Sequence, residues 1–394
     1  MLNSLPVLVL MLVIALAQHV QHEHVLPTTG WYANTNPDRA IVVDSRWFRD
    51  PPGGVEALIQ LMLALVTATS RDVVYVSGYM GLRYNDKWVQ RYGSKLVYKV
   101  REINKLQKGD ILIINEGIIC PHLPEGALGF VYMLASYRGC KSNDFHYISH
   151  NHYGLAFENL HLPKERLIHP YVNENITLLA HARGLQHDGS ILYSKLRTRD
   201  KKTNLVLIDD DVPESVKRII DKVTKSLGGQ SLVLTQLNME KLIDAYDSAK
   251  VVFDWCMRGS ERCVLEASLF GALAITNRCE TGGDFHDMPI PARFIVNHTN
   301  PTGRPSDKEN EDLYSETNPL HLQVKEDLTA AVAHAFKNYW DLVDDFEPVR
   351  KAILSHTPAS MLRETVRFLA TVHEGAKSNE NGGEKLMPDK CVGC

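Results

Sequence analysis

The segment from Asp254 to Pro291 (DWCMRGSERCVLEASLFGALAITNRCETGGDFHDMPIP) holds the residues best suited to chemistry. Glu266 sits in a Leu-Glu-Ala triplet within an expected helix over 261–271, facing an expected cleft. A carboxylate so placed can accept hydrogen bonds from two vicinal hydroxyls. The nearby helix start offers free N–H groups and partial positive charge, which suit a diphosphate. Arg258 and Arg262 stand just upstream and supply cationic charge. Gly271 would let the helix and the next strand approach closely, and Thr281-Gly282-Gly283 is a small-residue loop whose backbone can come near phosphate or sugar. Glu266 also has a plainer reading, in which it pairs with Arg262 one turn earlier.

Other residues stand out on type and spacing alone. Gly53-Gly54 is a turn signal ahead of an apolar helix. His146, His150 and His152 can share one strand face, but the spacing supplies too few ligands for a metal, and none is expected there. His150 reads equally as a satisfied histidine or a catalytic one. Leu207-Ile208-Asp209-Asp210-Asp211 ends a strand in carboxylates and also serves as a helix start before Pro213.

The Leu265-Glu266-Ala267 triplet, Gly271 and the following apolar strand resemble the donor-binding region of retaining GT-B glycosyltransferases of the family-4 type. That resemblance implies two Rossmann-like lobes facing a central cleft, and transfer of a sugar from a nucleotide-sugar with no metal or other cofactor. It implies that Glu266 binds the donor ribose and that Gly282-Gly283 and Gly53-Gly54 cradle phosphate from opposite lobes; Arg258 and Arg262 would offset charge on the leaving diphosphate in place of the family's basic pair. Phe145 to His150 (FHYISH) is similar to the family strand that ends in a histidine at the acceptor side, so His150, helped by Glu116, would face the transferred sugar. The acceptor, whether glycan, lipid or protein, stays open. The chain departs from the family where a second carboxylate is usual: that position holds Arg258, and Glu261 or Asp254 would have to substitute. The family's basic pair after the first strand of the second lobe is replaced by Asp209-Asp210-Asp211. Two alternatives follow. One is a non-catalytic secreted protein that binds glycan or nucleotide. The other is a metal-dependent GT-A-type enzyme in which Asp209 and Asp211 hold a divalent cation through hard oxygen ligands.

The elements that must position these residues form an α/β pattern of apolar runs alternating with helical periodicity. Strands are expected at 40–43, 73–76, 96–100, 110–115 and 145–149, then at 204–209, 231–235, 250–254 and 272–276. Helices are expected at 55–67, 127–137, 213–227, 239–248, 261–271 and 359–372. The expected division is a leader or anchor (1–17), a linker (18–37), a first lobe (38–195), a second lobe (196–358), a crossing helix (359–375) and a disordered tail (376–394).

Composition sets the outer limits. With 394 residues, 44% hydrophobic and 23% charged, the chain is neither fibrous nor disordered throughout. Its 43 Lys plus Arg against 47 Asp plus Glu leave a formal charge of -4, which excludes nucleic-acid binding through a basic surface. Seven cysteines are too few for a disulfide scaffold. The apolar run Leu5 to Ala17 ends Ala15-Leu16-Ala17, a signal-peptidase pattern, and points to the secretory pathway or secretion; any membrane contact would come from this segment left uncleaved. The sequons Asn175-Ile176-Thr177 and Asn297-His298-Thr299 agree with that route.

Overall fold

The computed structural model describes residues 41–44, 53–69, 74–77, 98–99, 106–115, 119–133, 140, 142, 144–156, 162–192, 202–235, 237–255, 262–278, 288–296 and 317–380. The expected leader and linker, most of the expected tail, and Glu116, Arg258, Gly282, Gly283 and Asn297 lie outside these residues.

The protein is α/β, with two parallel sheets. The first contains β1 (Ile41–Asp44), β2 (Val74–Ser77), β3 (Tyr98–Lys99), β4 (Ile111–Asn115), β5 (Leu128–Met133) and β6 (Phe145–Ser149), ordered β3-β2-β1-β4-β5-β6. Its inner strands are apolar on both faces, because helices or loops cover both sides of a parallel sheet. Alternation sorts the side chains. Ile111, Ile113, Phe130 and Tyr132 enter one core with α1 (Gly53–Thr69). Leu112, Ile114, Val131 and Met133 enter another with Leu106, Phe145 and Tyr147. Beyond β4 and β5, Cys120 and Cys140 form a disulfide.

One expected element is corrected. The segment 127–137, read as a helix, contains β5, paired in parallel with both β4 and β6. Its Gly-Phe-Val-Tyr-Met run is rich in β-branched and aromatic residues and is buried on both faces, which suits an inner strand and hides any helical period.

The second sheet contains β7 (Thr203–Ile208), β8 (Gln230–Val233), β9 (Ala249–Phe253), β10 (Leu273–Asn277) and β11 (Ile295–Val296), ordered β11-β10-β9-β7-β8. The helices between these strands are α4 (Glu214–Ser226), α5 (Met239–Ser248) and α6 (Arg262–Leu269). In α4 the buried Val216, Ile219, Ile220 and Val223 form one helical stripe. After α6, Gly271 has φ +89, the left-handed conformation that glycine adopts without strain, and Ala272 N–H donates back to Ala267. Gly271 therefore closes the helix end.

Four helices of the structure answer to no expected helix; the shortest, α2 (His152–Ala156), follows β6. In α3 (Glu174–Ala182), Ile176 and Ala180 pack into the core of the second sheet, although residues 174–182 precede the lobe boundary expected at 195. The helix α7 (Pro319–Leu342) lays Val324, Leu328, Ala335 and Tyr339 on the same core, followed by α8 (Glu347–Ser355).

The last helix, α9 (Pro358–Glu380), runs past the expected end at 375. It follows the second sheet in the chain yet packs with the first. Met361, Phe368, Leu369 and Val372 join the core formed by α1, β4 and β5, with the Phe368 ring edge-on to Phe130 at 4.9 Å. This explains why α1 is apolar nearly all round: it is covered by the sheet and by α9. Among the described residues no helix is long and apolar enough to cross a membrane. Phe368→Ala is expected to lower unfolding free energy by about 3–5 kcal/mol, read as a fall in the urea midpoint.

Candidate functional site

In open parallel sheets, ligands sit outside the carboxyl ends of the strands where the winding direction reverses. In the first sheet that point lies between β1 and β4, and in the second between β7 and β9. The helix after β1 begins at Gly53-Gly54, and the helix after β9 begins at Arg262. These two helix starts meet. Arg262 Nη1 is 2.7 Å from Glu56 Oε2 in the first turn of α1.

The guanidinium joins two carboxylates. Its Nε donates to Glu266 Oε1 one turn along α6, while Tyr246 on α5 donates to Glu266 Oε2 at 3.0 Å. Asn173 Nδ2 donates to Glu56 Oε1 at 3.2 Å. One turn beyond Glu56, Gln60 exchanges two hydrogen bonds with the Tyr171 backbone, at 2.8 and 3.0 Å, and so fixes α1 against the segment that carries Asn173.

Burial sets the electrostatics. Glu266 is 1% exposed, and burial raises its carboxyl above the usual carboxylate range although Arg262 and the Tyr246 hydroxyl pull it down. Burial alone would lower Arg262, but Glu266 and Glu56 overcome it and hold the guanidinium firmly charged. Burial, reinforced by Glu266, raises the Tyr246 hydroxyl well above its ordinary value, so it stays a hydrogen-bond donor.

Glu266 thus takes the plainer of its two readings here. A diol could reach its buried oxygens only if Arg262 or Tyr246 swung aside. Arg262 is 24% exposed and remains accessible.

His150 is also enclosed. It follows β6 at 4% exposure, its Nδ1 donates to Met133 O at 2.5 Å, and Asn151 Nδ2 donates to its Nε2 at 3.1 Å. Both ring nitrogens have partners within the fold. Of the other two histidines, His146 lies against Phe130 and His152 against His169. Burial and Arg166 lower His146 to about 4, so it is neutral near neutral pH.

A second cluster sits at the β7/β9 reversal. Asp209 follows β7, Asp254 follows β9, and their carboxylate oxygens lie with one from Asp211 within 4.8 Å of one another. Cys263, second in α6, donates to Asp209 Oδ2 at 2.6 Å. Burial and Asp209 raise the neighbouring Asp210 carboxyl. Among the described residues this is the only group of three or more such side chains within ligating distance. Four side chains with a part in these clusters carry no site expectation from the sequence: Glu56, Asn173, Tyr246 and Cys263. Glu56 sits beside Gly53-Gly54 and Cys263 beside Arg262, but no local pattern marks Tyr246.

Compared with known proteins, the chain matches no family profile, and no curated protein shows significant sequence similarity to it.

Removing the shared cation leaves two buried carboxylates facing each other. Arg262→Ala is therefore expected to cost about 3 kcal/mol of stability, and adding Glu266→Leu to that variant should recover part of it. Equal urea midpoints for wild type and Arg262→Ala would show that the carboxylates do not rely on it.

Proposed function

We propose that the chain is a glycosyltransferase of two Rossmann-like lobes whose reversal points face each other across a cleft, moving a sugar from a nucleotide-sugar to a glycan, lipid or protein acceptor. The supporting observation is the meeting of the two helix starts through Glu56 and Arg262. A donor diphosphate would displace Glu56 from Arg262 and accept hydrogen bonds from the guanidinium, which Glu266 holds in position. Charge collects on the diphosphate as the sugar leaves, and a fixed cation stabilises that charge without reorganising. Arg258 and the Gly282-Gly283 loop would complete the donor side, with Gly53-Gly54 approaching from the opposite lobe. His150 and Glu116 fall to the acceptor side, where His150, fixed by Met133 and Asn151, shapes the wall rather than moving a proton.

Calorimetry with UDP, GDP and ADP, alongside transfer and hydrolysis assays with their sugars, tests this reading. Glu56→Gln frees Arg262 of its competitor and is expected to tighten nucleoside-diphosphate binding about tenfold, roughly 1.4 kcal/mol. Arg262→Ala should weaken it by at least as much. Binding without turnover of any sugar would favour the non-catalytic alternative. Unchanged affinity in both variants would remove Arg262 from the donor site.

The second reading, a metal-dependent enzyme, has its own support, because Asp254 joins Asp209 and Asp211 at the β7/β9 reversal. Three carboxylates suit Mg²⁺ or Mn²⁺, which would bind a nucleotide diphosphate through its oxygens. On that reading chelation abolishes turnover, Mn²⁺ restores it, and Asp209→Ala or Asp254→Asn prevents the restoration. Turnover that survives chelation selects the metal-independent mechanism.

A further inference from the structure

We infer that Asn175 is an N-glycosylation site, and that its glycan lies over an exposed apolar face of α3. The sequon Asn175-Ile176-Thr177 occupies the first turn of α3. Asn173 caps this helix, its side chain accepting from the Asn175 backbone N–H at 3.0 Å. The cap engages the backbone of Asn175 and leaves its side chain exposed, while Ile176, the next residue, is buried in the second core. A large substituent on Asn175 therefore displaces nothing, and the helix beneath it stays anchored.

The disulfide between Cys120 and Cys140 is an independent indication. Such bonds persist where the redox environment is oxidising, as in the secretory lumen, where sequons are read. There the Asn175 amide nitrogen would form a bond to the anomeric carbon of a lipid-diphosphate-linked oligosaccharide. The bond from that carbon to the diphosphate oxygen breaks, the lipid diphosphate leaves, and one amide proton passes to solvent. This inference does not rest on the glycosyltransferase reading.

The helix supplies the reason for placement. Leu178 is 48% exposed and Leu179 is 36% exposed. They lie three and four residues after Asn175, on the same helical face. The first sugars of a chain at Asn175 would extend across these two leucines and shield them from solvent.

The test expresses the full chain in a eukaryotic secretory host and treats the secreted protein with peptide N-glycosidase in heavy-oxygen water. The peptide containing residue 175 should carry a heavy-oxygen aspartate there. The label should vanish in Asn175→Gln and Thr177→Ala and persist in Thr177→Ser, which keeps the sequon. An unmodified Asn175 peptide, in secreted protein or in protein retained in the cytosol, overturns the site. For the shielding, native protein stripped of its glycan should bind more of an apolar fluorescent dye than the glycosylated form. That gain should be absent from the Leu178→Ser, Leu179→Ser double variant. Equal dye binding before and after stripping overturns the shielding.

Discussion

One guanidinium held between two buried carboxylates ties the molecule together. Glu56 belongs to the helix after β1, Glu266 to the helix after β9, and Arg262 binds both. Taking carboxylates out of water is costly, and a single cation offsets two of them only if its geometry is good and other donors complete the set. The planar fork of arginine suits this, since it presents separate N–H groups to separate partners. Tyr246 and Asn173 supply the remaining donors. Sliding α1 against α6 would leave a buried charge without its partner, so the relative position of these two helix starts is under strong electrostatic constraint.

The winding of the sheets determines what collects around that constraint. Because β7 lies between β9 and β8, its carboxyl end has a neighbour that comes two strands later in the chain. Asp209 and Asp254 are brought side by side by this order, although their sequence separation gives no hint of it. Cys263, the second residue of α6, then touches Asp209. The arginine network and the acidic cluster share this helix, through Arg262 and Glu266 on one side and Cys263 on the other.

Much of this scaffold was legible from apolar runs. Every expected strand is present, displaced by a residue or two, because each buried parallel strand is a continuous apolar stretch bounded by polar turns. The exception is β5: a strand buried on both faces carries no alternation to set it apart from a helix. The α7 helix is hard to read for the opposite reason: its apolar positions are diluted by Lys, Glu, Asp and His on a broad exposed face. At the site, the one-turn spacing of Arg262 and Glu266 offers their pairing as one of two readings, the other being a carboxylate open to a diol. Their third partner, Glu56, is on the other sheet's first helix, and only the assembled fold brings it near. The strand-end position of His150 is legible in the sequence, but its ring partners, the Met133 carbonyl of β5 and the Asn151 side-chain amide, are fixed only by the fold.

The packing of α9 has a consequence for synthesis on the ribosome. Domains usually fold in the order in which they emerge, the N-terminal one first. Here the first sheet cannot complete its core until Met361, Phe368 and Leu369 have been made, by which time the strands of the second sheet are all outside the exit tunnel. The growing chain must carry a half-covered, strongly apolar α1 through most of translation, while the sheet made later has its helices in hand sooner. Assembly thus runs against the direction of the chain, and the earliest apolar helix is the one in longest need of a chaperone.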